Sequence, residues 1–421
     1  MNISVRPPSM RKSQPVPTSR FGSSAPYQER NGWQRYAAGR LSLMLVLAMG
    51  ATFSAHSQTF TVLHTFTGEG AGDGAGPVAP LIVGNGSLYG TTEGGGRHND
   101  GVLFRVHANG TETFYSFKDE PDGATPYGGL VQDGQGNGYG TTEAGGTDGL
   151  GTVFKVDAHG IETVLHNFGA GLDGRNPTAT LAIDGAGNLF GTTYFGGAHD
   201  DGTVFKIDVG GNESVLYSFA GYPADGSNPF SGVIVDGAGS LYGTTEYGGT
   251  GNVGAVFKVD ASGNEVVLSS FTGLPGGAFP SGGLVMDEKG NLYGTTVGGG
   301  RGYGIVFKLT TAGEQIVVHT FSGSPDGGYP YAGLIRDAEG NLYGTTEYGG
   351  SQFGNGYGTV FEISKGGEET VLYTFTNTSD GELPVAALVR DGKGNLYGTA
   401  SQGGKLQNGI EGYGTVFLLT P

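Results

Sequence analysis

One ten-residue phrase recurs along this chain. "NLYGTTEYGG" occupies residues 341–350, "NLYGTTVGGG" begins at Asn291, "SLYGTTEYGG" at Ser240 and "SLYGTTEGGG" at Ser87, with weaker versions at Asn137, Asn188 and Asn395. Its aromatic residue falls at Tyr89, Tyr139, Phe190, Tyr242, Tyr293, Tyr343 and Tyr397, at spacings of 50 to 54 residues. Three more elements keep that period. "GTVFK" places Phe104, Phe154, Phe205, Phe257, Phe307, Phe361 and Phe417, and "ETVLYSF" ends at Phe66, Phe117, Phe168, Phe219, Phe271, Phe321 and Phe375. "PxxGLVxD" starts at Pro77, Pro126, Pro177, Pro229, Pro280, Pro330 and Pro384. A fixed period means that one supersecondary unit is copied, each copy burying its apolar face against the next.

Each element is a short run rich in Val, Leu, Tyr, Phe and Thr, bounded by Gly, Pro, Asp or Asn, and none has helical apolar spacing. All four read as strands. The linkers "DxxGN" and "VDASGNE" are hairpin loops with Gly where a positive φ is needed. Each period is therefore a four-stranded antiparallel meander, which is the arithmetic of a propeller blade.

Phase decides between an open array and a ring. The repeat region begins with an "ETVLYSF"-type strand, "TFTVLHTF" at 59–66, and ends with a "GTVFK"-type strand, "GTVFLLTP". If blades run GLVxD, NLYGTT, GTVFK, ETVLYSF from the axis outward, the last blade lacks its outermost strand and the chain start supplies it. The fold expected is an all-β, seven-bladed β-propeller of four antiparallel strands per blade, closed by that N-terminal outer strand.

Gly makes up 86 of 421 residues, yet the chain also has 21 Tyr and 23 Phe, so it has a core to fill and is not a disordered Gly-rich tract. Residues 1–57 differ from the rest: they hold the only Trp, seven basic residues against one acid, and no repeat. "LSLMLVLAMGA" after Arg40 is too short to span a bilayer, and Ala55 and Ser57 fit the −3 and −1 positions of a cleavage site. This predicts a leader over 1–57, cleavage before Gln58 and a mature propeller over 58–421, secreted or at the cell surface or periplasm; an uncleaved anchor is the alternative. Cleavage takes the net charge from −17 to −23, which disfavours nucleic acid and anionic membrane. With no Cys, no disulfide or lipidated cysteine is available, and a monomer is expected.

Ring assembly explains most recurring residues. Tyr293, Phe307 and their equivalents should fill the gaps between blades, and Gly294 and its copies should let neighbouring blades approach closely. Function is sought in polar loop residues on the face whose loops vary, from "TTVGGGRGYG" to "TASQGGKLQNGIEGYG". Two acidic sets fall there. Asp73, Asp122, Asp173, Asp225, Asp326 and Asp380 sit in "DGxxP", with Gly276 breaking the series. They read either as turn-capping residues or as a carboxylate ring near the channel mouth that takes Ca²⁺. Glu93, Glu143, Glu246 and Glu347 follow "GTT", replaced by Tyr194, Val297 and Ser401 elsewhere. Turn chemistry does not explain these, so they are the preferred ligand-binding candidates. His98 with Asp100, and His199 with Asp200 and Asp201, break the symmetry of the repeats. His64, His166 and His319 share one outer-strand position and read as packing or surface residues. No catalytic residue is assigned: phosphate-cradling loops, nucleophile elbows and zinc-binding motifs are missing from the sequence.

The unit "DGxxPxAGLVxDxxGNLYGTTxxGGxxxxGTVFKxxxxGxETVLYSF" resembles the GloVer tandem repeat of exported bacterial proteins, often described with a choice-of-anchor C terminus. The resemblance covers residues 58–421 and implies an exported, extracellular repeat protein with no assigned reaction. Nothing follows the last strand here, which favours free secretion. The function expected is a binding or scaffolding module, its glycan or protein ligand on the variable face, with no cofactor beyond Ca²⁺. The alternative is a carbohydrate-active enzyme, a polysaccharide lyase or hydrolase, that uses the acids of that face.

Overall fold

A computed structural model describes residues 58–420, except 69–71, 85, 108–109, 170, 352–355, 407–408 and 410. The leader read over 1–57 lies outside the described residues. Seven four-stranded antiparallel sheets follow one another and close into a seven-bladed β-propeller. The fourth blade is typical: Ile234–Val235 is innermost, then Leu241–Thr245, Ala255–Val259 and, outermost, Glu265–Ser270. The seventh blade is Val389–Arg390, Leu396–Ala400 and Thr415–Thr420, completed by Thr59–Thr65 from the other end of the chain. The seam strand pairs from Thr59 opposite Thr420 to Thr65 opposite Thr415. Its register slips between Val62 and His64, at the position where the other blades carry their outer-strand bulge. The orphan strand thus reproduces the blade's irregularity as well as its length, and it covers the edge that Thr415–Thr420 would otherwise expose.

The core lies between blades and repeats with them. The Phe ending each outermost strand packs edge-to-face on the third-strand Phe of the next blade: Phe219 on Phe257 at 4.9 Å, Phe271 on Phe307 at 5.1 Å, and across the seam Phe66 on Phe104 at 5.0 Å. These rings are fully buried. Tyr293 is partly buried against the cluster built on Phe321 and Phe361, as expected of it. Gly294 has a different role from the one its position suggested. It pairs with Phe307 inside its own sheet. A Cβ on it would sit 2.8 Å from Phe307 Cζ, so the glycine makes room for its own blade's ring rather than for a neighbouring backbone.

Hairpin loops such as Asp287–Asn291 lie on one face, where Asp287 Oδ1 accepts the N–H groups of Lys289 and Asn291. On the other face the "DGxxP" loops pair with the loops that follow "GTT". Gly174–Arg175 with Phe195–Gly196 and Gly226–Ser227 with Tyr247–Gly248 form two-stranded ribbons there. The two loop families that carry the acidic candidates therefore share the variable face.

Candidate functional site

The variable face is organised by one device repeated round the ring. The residue before each inner-strand proline has a left-handed φ: Thr125, Asn176, Asn228, Phe279, Tyr329 and Leu383 lie between 55° and 58°, and Gly76 is at 65°. That conformation is costly for a side-chain-bearing residue. It is held by two hydrogen bonds. The N–H donates to the preceding blade's loop, as Thr125 does to the Asp100 carbonyl, and the C=O accepts from the residue after "GTT", as Thr125 does from Glu143 N–H. Glu93, Glu246 and Glu347 donate in the same way to Gly76, Asn228 and Tyr329. The backbone thereby sets the Glu positions at equivalent points around one opening.

The "GTT" threonines fix the ring inside that opening. Thr141 Oγ1 donates to the Ala179 carbonyl at 3.0 Å, and Thr192 to Ser231 at 3.0 Å, each tying a second strand to the next blade's inner segment. The inner segments of all seven blades line a cavity of about 560 Å³ on the axis. Val78, Tyr127, Thr178, Phe230, Ser281, Tyr331 and Val385, the residues just after the prolines, line its mouth. Three of them are aromatic. Tyr127 and Phe230 meet edge-to-face at 5.6 Å although they come from the second and fourth blades, and Tyr194 leans on Phe230 at 6.1 Å.

The four glutamates gather about these rings. Glu347 lines the axial cavity. Glu246 accepts the Tyr194 hydroxyl at 2.8 Å, so the tyrosine that replaces Glu in the third blade serves the Glu of the fourth. Burial raises all four carboxyls above the ordinary value, and the neighbouring Glu143 raises Glu93 further. Burial and then Glu93 and Glu143 push the Tyr127 hydroxyl up to about 12. Tyr331 is raised by burial, Glu347 and Glu246. Half-buried carboxylates and partly exposed rings at one opening suit a ligand that brings hydroxyls or positive charge together with an apolar face.

The six Asp lie elsewhere. Each reaches the outermost strand of the preceding blade: Asp73 and His64 Nε2 are 3.2 Å apart, as are Asp173 and His166, and Asp326 and His319. Asp225 and Asp380 accept the hydroxyls of Tyr217 at 2.8 Å and Tyr373 at 2.9 Å, and Asp122 accepts that of Tyr115. Loop N–H groups complete the set, from Gly169 to Asp173 at 2.9 Å and from Ala220 to Asp225 at 2.7 Å. They stand at six separate rim junctions, and among the described residues no three of them come within reach of one ion. The symmetry-breaking loops hold no cluster either. His98 and His199 are exposed, Asp200 is taken by Arg175 at 2.8 Å, and Asp201 accepts the Ser227 hydroxyl.

Sequence reasoning had singled out the glutamates as candidates but not Tyr127, Phe230 and Tyr331, which share their opening. The only signal was a large aromatic residue at a position where the sister copies carry Val, Thr or Ser.

Fold and site together define a tandem-repeat β-propeller with glutamates and aromatic side chains about one mouth of its axial cavity. The chain belongs to the Gloeobacter/Verrucomicrobia repeat family, whose model matches residues 46–237 and 210–417. No curated protein matches the sequence. Among solved structures it is similar to a streptogramin B lyase (TM-score 0.57, 14% identity, 86% of this chain and 97% of that one). It is also similar to the extracellular domain of a protein assigned as a one-component system, from B. thetaiotaomicron (TM-score 0.54, 10% identity, 85% of this chain). The match spans 40% of that second chain. A Bacteroides uniformis protein assigned as a 6-phosphogluconolactonase aligns with TM-score 0.50 and 16% identity over 77% of this chain and 93% of its own. Likeness at these identities is one of fold. Among the described residues, no helix is long and apolar enough to cross a membrane.

Proposed function

We propose that the propeller is an exported binding module that holds a glycan or a protein segment over the mouth of its axial channel. The observation that carries this is the gathering of Glu93, Glu143, Glu246 and Glu347 about Tyr127, Phe230 and Tyr331, on the face whose loops differ from blade to blade. An export-type leader and a structural neighbour that is an extracellular domain support the placement outside the cell. A monomer is part of the same reading.

The test is a glycan and peptide array probed with the mature chain, followed by calorimetry and mass spectrometry of the retained ligand. Retention without turnover is expected, weakened at least 10-fold in Tyr127→Ala/Phe230→Ala and in Glu143→Gln/Glu347→Gln. Binding that is unchanged in both double variants removes the mouth as the site. A second reading, a polysaccharide lyase or hydrolase, draws on one observation: Glu143 lies close enough to Glu93 to raise it, as a general acid beside a carboxylate requires. New reducing ends or unsaturated sugars in the array eluate would establish it.

A further inference from the structure

At the rim, far from the residues just discussed, three positions converge at a blade junction. They are the residue two before the last Phe of an outermost strand, the Asp of the loop that follows and, where the next outermost strand opens on Glu162, Glu213, Glu265 or Glu369, that Glu. In three junctions the first position is Tyr115, Tyr217 or Tyr373, each donating its phenol proton to the local Asp. In three others it is His64, His166 or His319. The exchange changes the chemistry, because a neutral imidazole presents a nitrogen lone pair where the phenol presents a proton. Imidazole plus two carboxylates is a ligand set for a borderline divalent metal of the zinc type, whereas Ca²⁺ prefers oxygen alone.

Geometry singles out one junction. Ligand atoms of His166, Asp173 and Glu213 all lie within 4.8 Å of one another, the only such group among the described residues. His166 Nε2 and Asp173 Oδ2, at 3.2 Å, already have about the separation of two ligands on a tetrahedral ion with bonds of about 2.0–2.1 Å. Asp173 is oriented from behind, accepting Gly169 N–H on Oδ2 and Gly174 N–H on Oδ1. Glu213 Oε1 is buried without a hydrogen-bond partner, as are Glu162, Glu265 and Glu369 Oε1 at sister junctions, but only at Glu213 does a histidine stand this close. An unpaired buried carboxylate oxygen beside a second carboxylate is costly, and an ion shared by the three groups relieves it.

We propose that His166, Asp173 and Glu213 form a zinc-type metal site that staples the outermost strand of the second blade to that of the third. His166 binds through the Nε2 lone pair, and any proton held there or on Glu213 is released to solvent. His319, Asp326 and Glu369 are a looser copy, with Glu369 Oε1 likewise buried and unpaired. In a chain without cysteine, such a clamp supplies a cross-link between blades that disulfides cannot.

The tag-free mature protein, stripped with EDTA, is titrated with ZnCl₂ and followed by calorimetry and thermal unfolding. His166→Tyr installs the residue that three sister junctions already carry, so the variant is expected to fold. Wild type should gain Tm saturably with zinc. His166→Tyr should lose one bound equivalent and most of that gain, and Glu213→Gln should bind at least 10-fold more weakly. His98→Ala/His199→Ala, which removes two exposed loop histidines, should leave the titration unchanged. Absence of both heat and Tm shift in wild type overturns the proposal, as does zinc binding of unaltered stoichiometry and affinity in His166→Tyr. Displacement of zinc by equimolar CaCl₂ overturns the metal class.

Discussion

The carboxyls of Glu162, Glu265 and Glu369 are pushed up to about 7, first by burial and then by the Asp each one faces: Asp122, Asp225 and Asp326. One oxygen of each is buried without a partner. A folded value raised above the unfolded 4.5 means that the folded chain holds these protons more tightly. Their contribution is fully present below that unfolded value and is lost as pH rises through about 7. Asp73, Asp173 and Asp380 work in the opposite sense. Burial, the largest influence, raises them, but the hydrogen bonds they accept together outweigh it and hold them below 3.8. What they contribute is present above 3.8 and lost as pH falls through their depressed values. In EDTA buffer the melting temperature should therefore fall between about pH 5 and pH 8, and Glu162→Gln/Glu265→Gln/Glu369→Gln should flatten that slope. A slope of equal steepness in the triple variant would assign it to the net charge of the whole body instead. The Asp series also shows why the sequence left two readings open. Asp before Gly has the same spelling whether it caps a turn or rings a pore. Only the path of the loop, from an outermost strand in to the next innermost one, puts these carboxylates at the rim.

At the scale of the strand, the most demanding contact is the one between the second and third strands of a blade. The second strand must carry no side chain opposite the buried Phe, and all seven copies comply: a Cβ on Gly90, Gly140, Gly191, Gly243, Gly344 or Gly398 would lie 2.5–2.6 Å from the Phe Cζ opposite, and one on Gly294 2.8 Å. Gly294→Ala should cost about 1–3 kcal/mol, because the added methyl displaces Phe307 and with it the edge-to-face contact with Phe271. Urea unfolding at a fixed m-value measures it, and Phe307→Leu should recover part of the loss by shortening the ring. Strand identity and order were legible because alternating apolar residues and turn glycines recur at one period. The reason for this glycine was not, since a Gly within a strand reads alike for a neighbouring blade and for a ring in its own sheet. The channel-mouth aromatics were hidden for the opposite reason. Tyr127, Phe230 and Tyr331 occupy a position that does not repeat, and a search for repetition passes over them.

For the whole molecule, closure is a single event made by residues about 350 positions apart. Thr59–Thr65 gives the seventh blade its fourth strand, and Phe66 then fills the first blade's core against Phe104. Phe66 N–H donates to Gly414 at 2.9 Å, and its carbonyl accepts from Tyr413 at 3.0 Å. Without this segment Thr415–Thr420 becomes a bare edge, and the first blade's inner surface faces water. A mature chain truncated to begin at Thr67 should therefore melt at lower temperature and associate through that edge, as light scattering after size exclusion would record. A synthetic peptide of residues 58–68 should restore the intact chain's elution and melting temperature saturably, since it binds the folded ring and not the unfolded chain. Because loop closure over such a length costs only slowly more as the chain grows, rescue in trans should approach the intact value at millimolar peptide. A truncated chain that elutes and melts as the intact one does would show that the seam strand is dispensable to the ring. The equivalent positions of the four glutamates around the mouth would then need another cause, because a ring of seven closed sheets is what places blades one and six on the same opening.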